Sequence, residues 1–320
     1  MRWLDPAIIE RLASDPARRM TMPDLSGIDP SKPFVPEEYT QLFYTPLYRG
    51  LHREHRLRYN QLFGVRINEY IMMLEADLVQ RLLLPLRRHP NVAAHPQLVR
   101  CIDTMIEEEK EHYRGFLALN RACFPALYQG RERYFSDLPW LARALFGAAG
   151  LVAGRLAFAL WYLMAMEESS TALARDMIRS PATETLGEIE PVFAAVHREH
   201  MKDEVRHLQI DGILADLCLT RSSRAKRVLN AALFKSMLGP ITRPTRSGSG
   251  VKVIRELVRQ MPELQWHEDP MIAAVLALRN DKQFQASLFN RRAMPLTFGV
   301  FDGTRELEGL ADAMVGYDRR

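Results

Sequence analysis

Cysteine is scarce in this chain: Cys101, Cys123 and Cys218 are the whole set, and no two form a CxxC pair. So small and odd a number excludes a disulfide framework and reads as buried or free thiols in a reducing compartment, which makes the cytoplasm the expected location. An excess of charge of one sign is also lacking. With 43 Lys and Arg against 39 Asp and Glu the formal net charge is +4, and both signs are interspersed along most of the chain. A pI that rests on so small an excess gives no ground for a nucleic-acid partner, and none is expected. The N-terminus, MRWLDPAIIERLASDP, has no long apolar run, which argues against a secretory signal. Runs of alternating apolar and polar residues are missing too, so no strands are expected.

One apolar stretch stands out. Residues 144–166 carry a single charge, Arg155, near their midpoint, and Gly147, Gly150 and Gly154 suit close helix contact. That is long enough to span a bilayer. A central Arg costs about 2.5–3.5 kcal/mol on insertion scales. No other stretch of comparable length is free of charge, which favours a helix buried on every side within a soluble bundle.

Helical patterning dominates the rest of the 320 residues, of which 47% are hydrophobic and 26% charged. Residues 1–36 hold Pro6, Pro16, Pro23, Pro30, Pro33 and Pro36 and read as an irregular arm wrapped over the body. Long helices are predicted over 52–86, 96–123, 138–179 and 184–219, the last with a break near Pro191. Shorter ones follow near 222–239, 251–262 and 270–292, parted by the Pro/Gly/Ser-rich loop 239–250. The expected fold is all-α: a four-helix bundle over 37–220 and a helical extension over 221–320 packed on it, one domain overall. About fourteen residues then link the second and third helices. Fully extended they reach about 46 Å, and a 25-residue helix is about 38 Å long, so the link can run the length of the bundle as the ferritin-like crossover does.

The informative residues are polar ones where a helix should be apolar. Glu109 and His112 share a face of the second helix with Ile102, Met105, Ile106, Tyr113 and Phe116. A charge so placed needs a partner or a metal. The fourth helix repeats the pattern as Glu204 and His207, with His200, Phe193, Val196 and Ile210 on the same stripe. Two Glu-x-x-His copies on facing helices ask for one glutamate from each of the other two. On the first helix Glu75 is flanked by Ile71, Met72, Leu78 and Val79, whereas Glu69 and Asp77 each have an Arg among their i±3 or i±4 neighbours; Asn68 and Gln61 lie on the stripe of Glu75. On the third, Glu167 has an apolar face, and Glu168 shares its stripe with Arg175 and Arg179, so Glu167 is the choice. Burying four carboxylates uncompensated costs several kcal/mol each, and no Lys or Arg lies on these stripes near them. Two metal ions remove the difficulty, and oxygen with imidazole ligands suits iron or manganese better than structural zinc. Glu108 and Asp203, each just before one of these glutamates, point round their helices and can reach a histidine on a neighbour. Arg206 can pair with one of the two.

Glu75, Glu109-x-x-His112, Glu167 and His200-x-x-Asp203-Glu204-x-Arg206-His207 resemble the ligand pattern of the non-haem di-iron N-oxygenases. The segment Arg58-Tyr59-Asn60-Gln61-Leu62 has the same look, and the resemblance covers about residues 50–215. It implies a ferritin-like fold and seven metal ligands: Glu75, Glu109, His112, Glu167, His200, Glu204 and His207. His200 is the distinguishing third histidine. The interval from the third-helix glutamate to His200 is longer than in the family's best-known member, which keeps Glu168 open as the alternative to Glu167. The resemblance further implies two iron ions, O2 as co-substrate, an external electron donor, and an amine substrate, free or carrier-tethered, oxidised to a hydroxylamine, nitroso or nitro product in secondary-metabolite or signal biosynthesis. Met72, Met105, Met164, Phe116, Tyr113 and Trp161 are candidates for an apolar pocket, with plain core packing favoured for any one of them. The competing functions are another di-iron oxidase, such as a desaturase, hydroxylase or cleavage enzyme, and a non-enzymatic iron-binding bundle. A homodimer is compatible with the large apolar helices.

Overall fold

The computed structural model describes residues 2–136, 147, 150 and 154–318, apart from the side chains of 239–241. The described residues form helices and no strand; a single isolated bridge joins Ala182 and Glu188. The fold is all-α and ferritin-like, as the patterning predicts.

In chain order the helices are α1 (Pro6–Ala13), α2 (Pro46–Gly50), α3 (Arg53–Met73), α4 (Gln80–Leu86), α5 (Pro90–Ala93), α6 (Pro96–Cys123), α7 (Ala159–Arg179) and α8 (Pro191–Ala215). The extension adds α9 (Arg224–Thr242), α10 (Ser249–Gln260), α11 (Glu268–Ala277), α12 (Lys282–Leu288) and α13 (Pro295–Asp302). Proline and acidic caps set many of the starts. Asp5 accepts from the Ala7 amide ahead of Pro6. Pro96 opens α6. Glu190 accepts from the Phe193 amide ahead of Pro191, a position where proline loses no helical hydrogen bond.

Two predicted boundaries are corrected by the structure. The fourth long helix begins at Pro191 and not near 184, because proline fits the first helical position and residues 184–190 lie outside the helix. The third begins at Ala159 and not at 138: residues 154–158 are non-helical, and Arg155 is exposed on that turn rather than central to a helix. Most of 138–153 lies outside the described residues. The link from α6 therefore runs from Phe124 to Phe158, well beyond the fourteen residues expected. Among the described residues no helix is long and apolar enough to cross a membrane.

α3 runs without a break through a π-helical segment, Leu74–Val79, into α4. α8 likewise passes into a π-helical segment, Asp216–Thr220. α3, α6, α7 and α8 form the bundle, with α7 against α8 and α3 against α6. Their apolar faces build two buried clusters. One holds Leu82, Met105, Leu160, Met164 and Leu214. The other holds Leu62, Phe116, Leu173, Phe193 and Val196. Each bundle helix passes from one cluster to the other, and the acidic and histidine residues lie at that crossing. The arm lies across the bundle: Asn60 accepts from the Phe34 and Val35 amides, and Gln61 donates to the Pro30 and Lys32 carbonyls. Gln61 thus ties down the arm and does not serve the site.

Candidate metal centre

Seven side chains meet where the bundle changes from one apolar cluster to the other. Glu75 comes from the π-helical segment, Glu109 and His112 from α6, Glu167 from α7, and His200, Glu204 and His207 from α8. All are buried, with exposures from 0% for His112 and His207 to 6% for Glu167. A π turn holds one residue more than an α turn, which lets Glu75 face the centre while the flanking helix keeps its apolar face.

The ligand atoms fall into two overlapping groups, each within 4.8 Å: Glu75, His112, His200 and Glu204, and Glu109, His112, Glu204 and His207. Glu204 Oε1 is the hub, 2.9 Å from His200 Nε2 and 3.3 Å from Nδ1 of both His112 and His207. Glu75 Oε1 lies 3.3 Å from His200 Nε2. Glu109 Oε1 lies 3.2 Å, and Glu167 Oε2 3.9 Å, from His207 Nδ1.

The outer nitrogens define the chemistry of the inner ones. His112 Nε2 is 2.9 Å from Asp203 Oδ2, and His207 Nε2 is 3.0 Å from Glu108 Oε2. Each carboxylate comes from the other histidine's helix, so the two pairs are reciprocal. Arg206 donates to both, at 2.6 Å to Glu108 Oε1 and 2.7 Å to Asp203 Oδ1. Carboxylates fixed by a shared guanidinium accept hydrogen bonds from Nε2–H and turn the Nδ1 lone pairs inward. There Nδ1 of His112 and His207, Oε2 of Glu75, both oxygens of Glu109 and Oε1 of Glu204 have no hydrogen-bond partner. Lone pairs of imidazole and carboxylate facing one another repel unless a cation lies between them. Burial opposes charging His112, but Asp203, Glu109 and Glu204 outweigh it and push its pKa well above the ordinary value. Burial and the Glu109 charge push Glu75 well above the carboxylate range. Cations placed among these atoms relieve both strains, and the donor set of four carboxylates and three imidazoles fits two such ions.

Residues 6–249 match the family model for p-aminobenzoate N-oxygenase AurF. The chain belongs to this family. No curated protein matches it. Membership makes the chain a di-iron N-oxygenase, an oxidoreductase of a family whose enzymes use two iron ions and O2, and the buried histidine and glutamate cluster fits such a site.

Other sequence candidates lie elsewhere in this AurF-family chain. Glu168 turns away from the cluster, and its two oxygens accept the Leu296 and Thr297 amides at the start of α13, at 2.9 and 2.7 Å. The six residues proposed to line a pocket do not line the large cavity. Met72, Met105, Met164, Phe116 and Trp161 are core residues, and Tyr113 donates to Glu132 outside the centre. The cavity, of about 1380 Å³, is lined instead by Leu74 and Met166, each next to a cluster glutamate, and by Tyr70, Tyr162, Arg66 and residues of α9, α10, α12 and the start of α13.

Three buried polar groups escaped the sequence reading. Glu69 accepts from the Tyr128 hydroxyl and the Tyr134, Phe135 and Ser136 amides. His197 Nε2 lies 3.0 Å from Asn68 Oδ1, and Asn68 donates onward to Asn120. Asp211 is fully buried with neither oxygen partnered, and burial pushes its pKa well up. It stands one turn after His207, so the stripe of His200, Glu204 and His207 would have found it.

Proposed function

We propose that this chain inserts oxygen from O2 at the nitrogen of an amine, using two iron ions held by Glu75, Glu109, His112, Glu167, His200, Glu204 and His207. The supporting observation is the set of buried, inward-facing and unpartnered oxygen and nitrogen atoms at the crossing of four helices. Bound iron supplies the binding and reduction of O2. The protein's own residues do the rest. Asp203 and Glu108 orient the imidazoles, the apolar clusters above and below keep water out, and the cavity beside Leu74 and Met166 receives the amine. The substrate, free or carrier-tethered, goes to a hydroxylamine, nitroso or nitro product in secondary metabolism or signalling. Electrons come from an external donor in the cytoplasm, a setting that suits three free cysteines. His200 adds a third imidazole, which changes the electron density at one ion.

Protein from iron-supplemented cells is expected to carry about two iron ions per chain, as a four-carboxylate bundle site requires. With labelled O2, an amine panel read by mass spectrometry should give N-oxygenated products carrying the label, and His200→Ala should lose them. One zinc per chain, carbon-centred products only, or full activity in His200→Ala would each overturn part of this reading.

A further inference from the structure

The outer face of the centre is closed by the N-terminal arm. Arg206 donates to the Arg18 carbonyl with the same guanidinium that bridges Glu108 and Asp203. The Met20 amide donates at 3.1 Å to Asp203 Oδ2, the oxygen that also takes the His112 proton. Arg19 Nε stands 3.8 Å from Glu108 Oε1. The Thr21 amide donates to Glu199 at 3.3 Å. Met20 and Met22 lie on Gly115, one turn beyond His112, where an added Cβ would come within 2.8 Å of the Met22 sulfur and 3.0 Å of the Met20 methyl. A larger residue there meets the strap.

Residues 18–22 are thus a single layer of chain between water and a buried network. Arg206, Glu108 and Asp203 are 4%, 3% and 2% exposed, whereas the Arg19 side chain above them is 52% exposed. The proposed substrate cavity lies elsewhere, beside Leu74 and Met166. None of residues 18–22 is among the described residues that line the cavity, so the imidazole–carboxylate pairs are covered by one part of the chain and the amine site by another.

We propose that the strap 18–22 and Arg206 are positioning elements that together hold the His112 and His207 rings in place and so set how fast iron leaves the centre. The inference rests on the reading that the cluster holds iron. Its physical basis is that Asp203 and Glu108 fix the rings only while they are themselves fixed. Arg206 holds one oxygen of each, and the strap holds the second oxygen of Asp203 and caps Arg206. Freed from either, a carboxylate turns toward water and its imidazole gains the freedom to swing off the metal. Loss of such outer partners typically weakens metal binding about 10–100-fold.

The test uses the full chain loaded with Fe2+, with release followed as colour on adding excess 2,2′-bipyridine. Met20→Pro removes one N–H from Asp203 together with the side chain that lies on Gly115, and Met20→Ala, which loses the side chain and keeps the N–H, is its control; Arg19, at φ −107 and ψ 152, already has the extended backbone that precedes proline. Arg206→Met removes the shared cation. Arg206→Lys keeps the charge, but an ammonium on one stem does not span two carboxylates and a carbonyl. Expected are full loading at saturating Fe2+, release faster by about 10-fold in Met20→Pro and by up to about 100-fold in Arg206→Met, and an intermediate rate in Arg206→Lys. Near-infrared magnetic circular dichroism of the ferrous protein should shift in the first two, while Met20→Ala keeps the parent release rate and shares the metal-free melting temperature of Met20→Pro. Should Arg206→Met not fold, Met20→Pro decides alone. Release from Met20→Pro at the parent rate overturns the inference while leaving the iron reading intact. A parent protein that binds no iron, as Glu109→Ala should, overturns the reading and this inference with it.

Discussion

Replacing Glu167 and, separately, Glu168 by alanine divides two tasks carried by adjacent carboxylates. Glu168 holds the first turn of α13 through two amides, one of them on the fully buried Thr297. Hydrogen bonds to a charged group are worth about 1.5–3 kcal/mol each. Burial raises the Glu168 pKa even with both amides in place, which offsets part of that gain. The expected loss in Glu168→Ala is therefore about 2–4 kcal/mol, a fall in melting temperature of about 3–6 °C. Its iron content should be unchanged. Among the described residues no backbone amide donates to the Glu167 side chain, and its near neighbour is His207 Nδ1 at 3.9 Å. In Glu167→Ala the metal-free protein should keep its stability to within about 1 kcal/mol, because a buried carboxylate without a donor contributes little. Iron per chain should drop below the two of the parent. Differential scanning calorimetry on metal-free protein and a colorimetric iron assay on loaded protein read the two effects. Normal iron in Glu167→Ala with lost iron in Glu168→Ala would refute the assignment.

Glu69→Ala should cost about 3–5 kcal/mol in urea unfolding, since four donors, three of them backbone amides, lose their acceptor; a cost under about 1 kcal/mol would show that the connection after Phe124 is held otherwise. Burial drops the His197 pKa to about 3, so the folded state stays neutral there while the unfolded state takes a proton below its ordinary 6.5. That stability is fully present above pH 6.5 and is lost as pH falls toward 3. Between pH 6.5 and 4 the loss is up to about 3 kcal/mol. His197→Gln should flatten this part of the stability–pH curve of metal-free protein, and an unchanged slope would count against the buried neutral imidazole.

The metal-facing residues were legible because each breaks an apolar stripe at helical spacing, and that spacing survives folding. The same arithmetic led to Glu108 and Asp203, whose positions one before a glutamate send them round the helix. Glu69 was set aside for having Arg66 nearby in sequence, yet its partners are amides 65 to 67 residues further on, which no local pattern reveals. The π turn at Leu74–Val79 leaves no mark on composition, and Glu75 was found only because the apolar neighbours on both sides tolerate the extra residue. The start of α7 was misplaced because an apolar run looks the same in sequence whether or not a turn, here at residues 154–158, interrupts it. Pro191 gave a usable warning, since proline belongs at a helix start.

The metal-facing side chains lie between residues 75 and 207, whereas much of the cavity wall comes from Leu233 onward, including Phe284, Ser287, Asn290 and Arg292. That part of the wall lies outside the stretch that carries the cluster. If the cavity receives the amine as proposed, a descendant gene that rewrites only its last third changes part of the substrate's surroundings and leaves the cluster residues as they were. A library confined to residues 284–292 would explore that freedom, with iron content serving as the internal control that the inherited part has not changed.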